Sequence, residues 1–143
     1  MKIMVAYDGT LQAKEALVYG MDKAREKGGE VVALHVFDSG MFIDYDAHVD
    51  AEGMARQETA RFIAEAKALI QEKAKGVRVS MFTTEGNPEE EMINFAKENH
   101  ADVLLCPPKF KGIINRYHSK QAASELSNEA EKMNLTALST KTM

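Results

Sequence analysis

The densest run of chemically capable side chains lies between positions 103 and 124. It carries Lys109, Lys111, Arg116 and Lys120, with Ser119 beside the last, and it contains no Asp or Glu. Such a set can hold an anion through charged side-chain donors. The same composition also suits a solvated loop that balances acidic helices elsewhere. Tyr117 and His118 lie within the run, and a histidine titrates near neutral pH. Spacing names no partner for His118, which reads as a surface-loop residue. Cys106 is the single cysteine. A reactive thiol needs a positive neighbourhood, and Lys109 is near in sequence. A lone cysteine also packs well as a small hydrophobe, and that is the reading favoured for Cys106.

Metal chemistry finds little support. His35, His48, His100 and His118 are scattered, and no His/Cys/Asp spacing matches a ligand set. Asp44, Asp46 and Asp50 with His48 form a loose acidic group that lacks a calcium-loop pattern. No paired carboxylates or nucleophile–base pair emerge, so the sequence predicts no catalytic residue and no metal.

The other notable segment is Ala6-Tyr7-Asp8, followed by Gly9-Thr10. Asp8 ends an apolar run just before a helical pattern. It can contact a ligand, or it can serve as a turn and cap residue with no ligand at all.

These segments need elements to place them. Lys2 to Tyr7 is a short apolar run and reads as a buried strand. Leu11 to Lys27 carries Ala13, Leu17, Met21 and Ala24 at helical spacing, and Gly28-Gly29 ends it. Glu30 to Phe37 is nearly all apolar, as for a strand covered on both faces. A loop over 39–48 leads to a helix from about Asp50 to Lys75, ended by Gly76. Its expected inner stripe is Met54, Phe62, Ile63, Ala66, Leu69 and Ile70. Val77 to Thr84 alternates and predicts an edge strand. Asn87-Pro88 followed by three glutamates is a strong helix start. That helix turns Met92, Ile93, Phe95 and Ala96 inward. Ala101 to Cys106 is a fourth strand, stopped by Pro107-Pro108. Gln121 to Met133 is a last helix, with Ala122, Ala123, Leu126, Ala130 and Met133 inward, and Leu135 to Leu138 a weak final strand. The methionines, Met54 and Met92 among them, fall mostly at core spacing.

The alternation predicts a parallel sheet with right-handed crossovers, doubly wound, with helices on both faces. Ligands bind such sheets beyond the strand C-termini, at the switch point. Asp8, Val36 and the stretch after Cys106 fall at that edge.

Composition is consistent with one globular domain over residues 1–143. Hydrophobic residues make up 45% and charged residues 28%, which excludes disorder and a disulfide scaffold. No apolar run spans a membrane, and the opening residues are too short and too quickly polar for a secretory signal. With one cysteine, a cytoplasmic location is expected. A net charge of −4 argues against nucleic acid as a partner.

Three segments together resemble the universal stress protein (UspA-like) family: Ile-Met-Val-Ala-Tyr-Asp-Gly-Thr (3–10), with Ala13 and Ala16; Val-Val-Ala-Leu-His-Val-Phe-Asp (31–38); and Glu85-Gly86-Asn87-Pro88 followed by Ala101-Asp102-Val103-Leu104-Leu105. The resemblance covers roughly residues 1–106. It implies a five-stranded sheet of order 3-2-1-4-5, of the adenine-nucleotide alpha-hydrolase-like type. It also implies a homodimer paired through the last strand and a non-catalytic regulatory role. His35 matches a family strand histidine and reads as structural. One branch of the family binds ATP. There the Asp after the first strand and backbone at the end of the second hold the nucleoside. By resemblance that half maps to Ala6, Tyr7, Asp8 and Val36, where Val36 offers only main chain and also reads as a core valine.

The same branch holds phosphates on Gly-x2-Gly-x9-Gly-Ser/Thr after the fourth strand. Here those glycines fall on Pro107, Phe110 and either Lys120 or Gln121. Glycine lets backbone N–H groups approach phosphate, whereas proline has no N–H and Phe110 adds bulk. Eight of the nine glycines precede the fourth strand, and Gly112 is out of register. The expected function is therefore a universal-stress-type regulatory module that does not bind ATP in the family manner. The alternative is an adenine-nucleotide binder whose phosphates meet Lys109, Arg116, Ser119 and Lys120.

Overall fold

The structure is a computed structural model, and it describes residues 1–38, 51–107, 120–121, 124–132 and 135–139. The elements are β1 (Lys2–Ala6), α1 (Leu11–Lys27), β2 (Glu30–Phe37), α2 (Ala51–Lys73), β3 (Arg78–Glu85), α3 (Pro88–Glu98), β4 (Val103–Cys106), β5 (Lys120–Gln121), α4 (Ser124–Lys132) and β6 (Thr136–Ser139).

Local chemistry explains the boundaries. Thr10 caps α1 by accepting from the Ala13 N–H. Gly28 ends that helix at φ +70°, a left-handed turn that costs glycine little. Asn87 caps α3 by accepting from the Glu90 N–H, Pro88 fills the first turn, and Glu89, Glu90 and Glu91 face the positive end of the dipole.

The sheet runs β3-β2-β1-β4-β6-β5, and β3, β2, β1 and β4 are mutually parallel. Along β1 the side chains alternate between two cores. Ile3, Val5 and Tyr7 face α1, α2 and α4, whereas Met4 and Ala6 face α3. Each wholly buried Leu or Ile contributes about 1.5–3 kcal/mol, and Ile3, Leu17, Leu34, Ile93, Leu104, Leu105 and Leu138 are all shielded from water. β3 is an edge strand, as its alternation predicts, with Phe82 exposed.

The structure corrects several expectations. The C-terminal strand lies next to β4 as the expected order requires, but it runs antiparallel, with Cys106 opposite Thr136 and Val103 opposite Ser139. The intervening β5 breaks the strand–helix alternation on which the parallel rule depends. It pairs with the outer side of β6 and makes six strands. Gln121, expected to open the last helix, is therefore in a strand, and that helix begins at Ser124. Met54 is not in the core but 67% exposed. Helix α2 is about 34 Å long at 1.5 Å per residue, longer than the strands beneath it. Its first turn lies before Arg56, which already stands level with the strand ends at Phe37 and Glu85. Ile63 is half-buried and joins neither core cluster, lying instead on the outer flank of α2. The remaining four stripe residues hold: Ala66 is buried, and Phe62, Leu69 and Ile70 pack against the core.

Candidate functional site

Strand order reverses between β1 and β4, since the chain passes from β1 to β2 and β3 on one side and later returns to β4 on the other. The edge beyond their C-termini is therefore the switch point. Ala6 and Tyr7 reach it from β1, and Cys106 and Pro107 from β4.

Tyr7 is 1% exposed and anchored at three atoms. Its N–H donates to the Leu34 carbonyl at 2.8 Å. Its hydroxyl donates to the Phe62 carbonyl of α2 at 3.0 Å. Its own carbonyl accepts from His35 Nδ1 at 2.9 Å, while His35 Nε2 lies 3.4 Å from Thr59 Oγ1. With Nδ1 as the donor, the neutral ring leaves Nε2 to accept from the threonine. Burial, and then the carboxylates of Glu65 and Asp8, push the phenol up to about 12.

Asp8 is half-buried. Its Oδ1 accepts from the Thr10 N–H at 3.1 Å and from the Thr10 hydroxyl at 2.5 Å. Thr10 in turn accepts from Ala13, so the carboxylate is tied through one residue into the start of α1. The turn-and-cap arrangement expected of Asp8-Gly9-Thr10 is thus realised. Gly9 sits at φ +80° with the Phe62 ring directly beneath it: a Cβ there would lie 2.2 Å from that ring. No other residue type meets both conditions without strain. Val36 is half-buried and packs against the α3-side core.

Cys106 closes the other side. It is fully buried, and burial, reinforced by the Glu89 carboxylate, pushes its thiol up to about 12. The thiol stays protonated at neutral pH, which matches the small-hydrophobe reading. His100 is exposed at φ 53°. Among the described residues no three His, Cys, Asp or Glu side chains gather as a metal site would require.

The structure brings Ala6, Tyr7 and Asp8 to the switch point, with Val36 near the end of neighbouring β2. Lys120 belongs to β5, whose backbone is two strands from β4, roughly 10 Å at ordinary strand spacing. Lys109, Lys111, Arg116, Tyr117, His118 and Ser119 lie outside the described residues. So do Phe110 and Gly112, the 39–48 loop with Asp44, Asp46 and His48, Asp50, and Ala122, Ala123 and Met133. Sequence reasoning missed the part of α2 in this site. Phe62 reads only as core, and Thr59 gives no signal, because their contacts to Gly9, Tyr7 and His35 span more than twenty residues.

The sequence profile described as the universal stress protein family matches residues 1–136. The chain belongs to the universal stress protein family. A curated universal stress protein from Methanocaldococcus jannaschii is 27% identical over 107 residues, 73% of this chain and 62% of that protein. The match thus spans less than two thirds of that relative's length. Among solved structures, a universal stress family protein from Burkholderia pseudomallei has a TM-score of 0.65 at 22% identity, covering 82% of this chain and 89% of that one. The universal stress protein from Archaeoglobus fulgidus in complex with dAMP has a TM-score of 0.57 at 19% identity, covering 80% and 86%. Both likenesses establish the shared α/β fold. No helix among the described residues is long and apolar enough to cross a membrane.

Proposed function

We propose that this chain is a non-catalytic regulatory module that does not hold ATP on a glycine loop. The observation that carries this reading is Pro107. It is buried directly after β4 at the switch point, where the ATP-binding branch has its first phosphate glycine, and it has no N–H to offer. Phe110 and Lys120 or Gln121 replace the other two glycines. The acidic chain acts in the cytoplasm, without nucleic acid or membrane as partner.

A second reading is favoured by one observation. The Archaeoglobus protein of the same fold is described in complex with dAMP, and in this chain the anchored Tyr7-Asp8-Gly9 turn lies at the switch-point edge, where such sheets bind ligands. A single phosphate asks less of a loop than three. Under this reading an adenine nucleoside monophosphate sits against Ala6, Tyr7, Asp8 and the Val36 main chain, with Lys109, Arg116, Ser119 and Lys120 for the phosphate.

Calorimetry with ATP, ADP, AMP and dAMP tests both. The first reading expects ATP to bind no more tightly than AMP; ATP tighter by tenfold or more overturns it. The second expects AMP or dAMP to bind, and to weaken in the Arg116→Ala/Lys120→Ala double variant. Silence from both monophosphates at millimolar concentration removes it. The homodimer implied by the family is also proposed, and a monomer mass by light scattering would refute it.

A further inference from the structure

A concavity lies away from the switch point, on the flank of the sheet between α2 and the ends of β2 and β3. Its volume is about 430 Å³, within the range of small-molecule sites. The α2 wall is one helix face: Arg56, Thr59, Ala60, Ile63, Ala64 and Lys67, at spacings of three and four. Phe37, Thr83 and Glu85 form the strand side. From Arg56 to Lys67 the groove runs about 16 Å along the helix axis. Ala60 and Ala64, both exposed, add only one methyl each to this wall.

The two ends differ in charge. At one end Arg56 is fully engaged: it bonds Glu85 at 2.7 Å and Glu52 at 3.0 Å, and it stacks on the Phe37 ring at 4.4 Å. That end is an apolar ring lidded by a satisfied ion cluster. At the other end stands Lys67. Of the four cations on α2, Arg56, Arg61 and Lys73 each have a carboxylate within 4 Å. Lys67 has none among the described residues, and no acid occupies positions three or four away along the helix (63, 64, 70, 71).

We propose that this groove binds an elongated amphipathic monocarboxylate, its head on Lys67 and its apolar chain lying along Ala64, Ile63 and Ala60 towards Phe37. An unbranched chain of about ten carbons is commensurate with the groove. A positive head would instead face Lys67 unfavourably, and a second carboxylate would meet Glu52 and Glu85. The groove is distinct from the switch point, so this inference stands whether or not a nucleotide binds there.

The test is a titration of the labelled protein with decanoate, followed by NMR at Ile63, Thr83 and Lys67. Saturable shifts at all three are expected. Lys67→Ala should weaken binding about tenfold, the scale of one charge-assisted contact. Ala64→Leu should abolish it while the melting temperature is retained. Decylamine should bind at least tenfold more weakly than decanoate. Absence of saturable shifts overturns the proposal, as does binding that survives both variants or equal binding of decylamine. If the same resonances shift with protein concentration alone and light scattering shows a dimer, the groove belongs to a second copy and the proposal fails.

Discussion

The switch point and the α2–β3 flank of this sheet are built in opposite ways. At the switch point every backbone polar group of Tyr7 is engaged, Asp8 is tied to Thr10, and Phe62 fills the space under Gly9. On the α2–β3 flank the space is left open, with Arg56 and Glu85 bonded to each other at one end. The first surface is shaped by hydrogen bonds and close contact, whereas the second presents two exposed alanines. Change should therefore be costly at the first and cheap at the second.

Gly9→Ala is the severest way to break that contrast. It places a methyl inside the Phe62 ring at a positive φ, and an expected loss of about 3 kcal/mol combines left-handed strain with overpacking. Denaturant unfolding measures it, and a loss below about 1 kcal/mol would mean that the turn is less fixed than described. Alkaline titration comes next. Tyr7 and Cys106 both ionise less readily folded than unfolded, so the unfolded chain loses protons first and stability falls as pH rises. The fall should begin near the ordinary thiol value of 9.0 and continue towards about 12. In Cys106→Ala the onset should move up to near 10.0, the ordinary phenol value.

Tyr7→Phe removes one hydroxyl donor from the Phe62 carbonyl and should cost about 1 kcal/mol. Unchanged stability would show that Tyr7 anchors α2 through packing alone. Ala64→Leu on the flank is the smallest, within about 0.5 kcal/mol of neutral. A large destabilisation there would mean that the flank is as closely packed as the switch point and would erase the contrast.

How much of this was legible in the sequence follows the range of the contacts. Thr10, Gly28, Asn87 and Pro88 act within four residues, so the bounds of α1 and β2 and the start of α3 could be read directly. The alternation in 77–84 marked an edge strand because burial on one face writes itself at period two. The Asp8 turn was readable as well, being a contact between residues 8 and 10. Met54 was misplaced because periodicity records which face a residue takes but not whether the helix has outrun its sheet. The direction of β6 was hidden for a related reason, since two residues of β5 carry too little pattern to announce a strand. The role of α2 at Tyr7 and Gly9, and the groove beside Lys67, depend on residues tens of positions apart, and no local pattern encodes them.

The placement of β5 bears on how copies of this chain could polymerise. A sheet grows end to end only if both of its margins can accept a strand. Here the eight-residue β3 presents one long margin, while the other is taken up by a strand of two residues lying outside β6. Two copies meeting along β3 would use up that margin in each, and among the described residues a further copy would find only the two-residue β5 at the other margin. Strand addition along β3 would thereby stop at a closed pair and not run on as an open fibre.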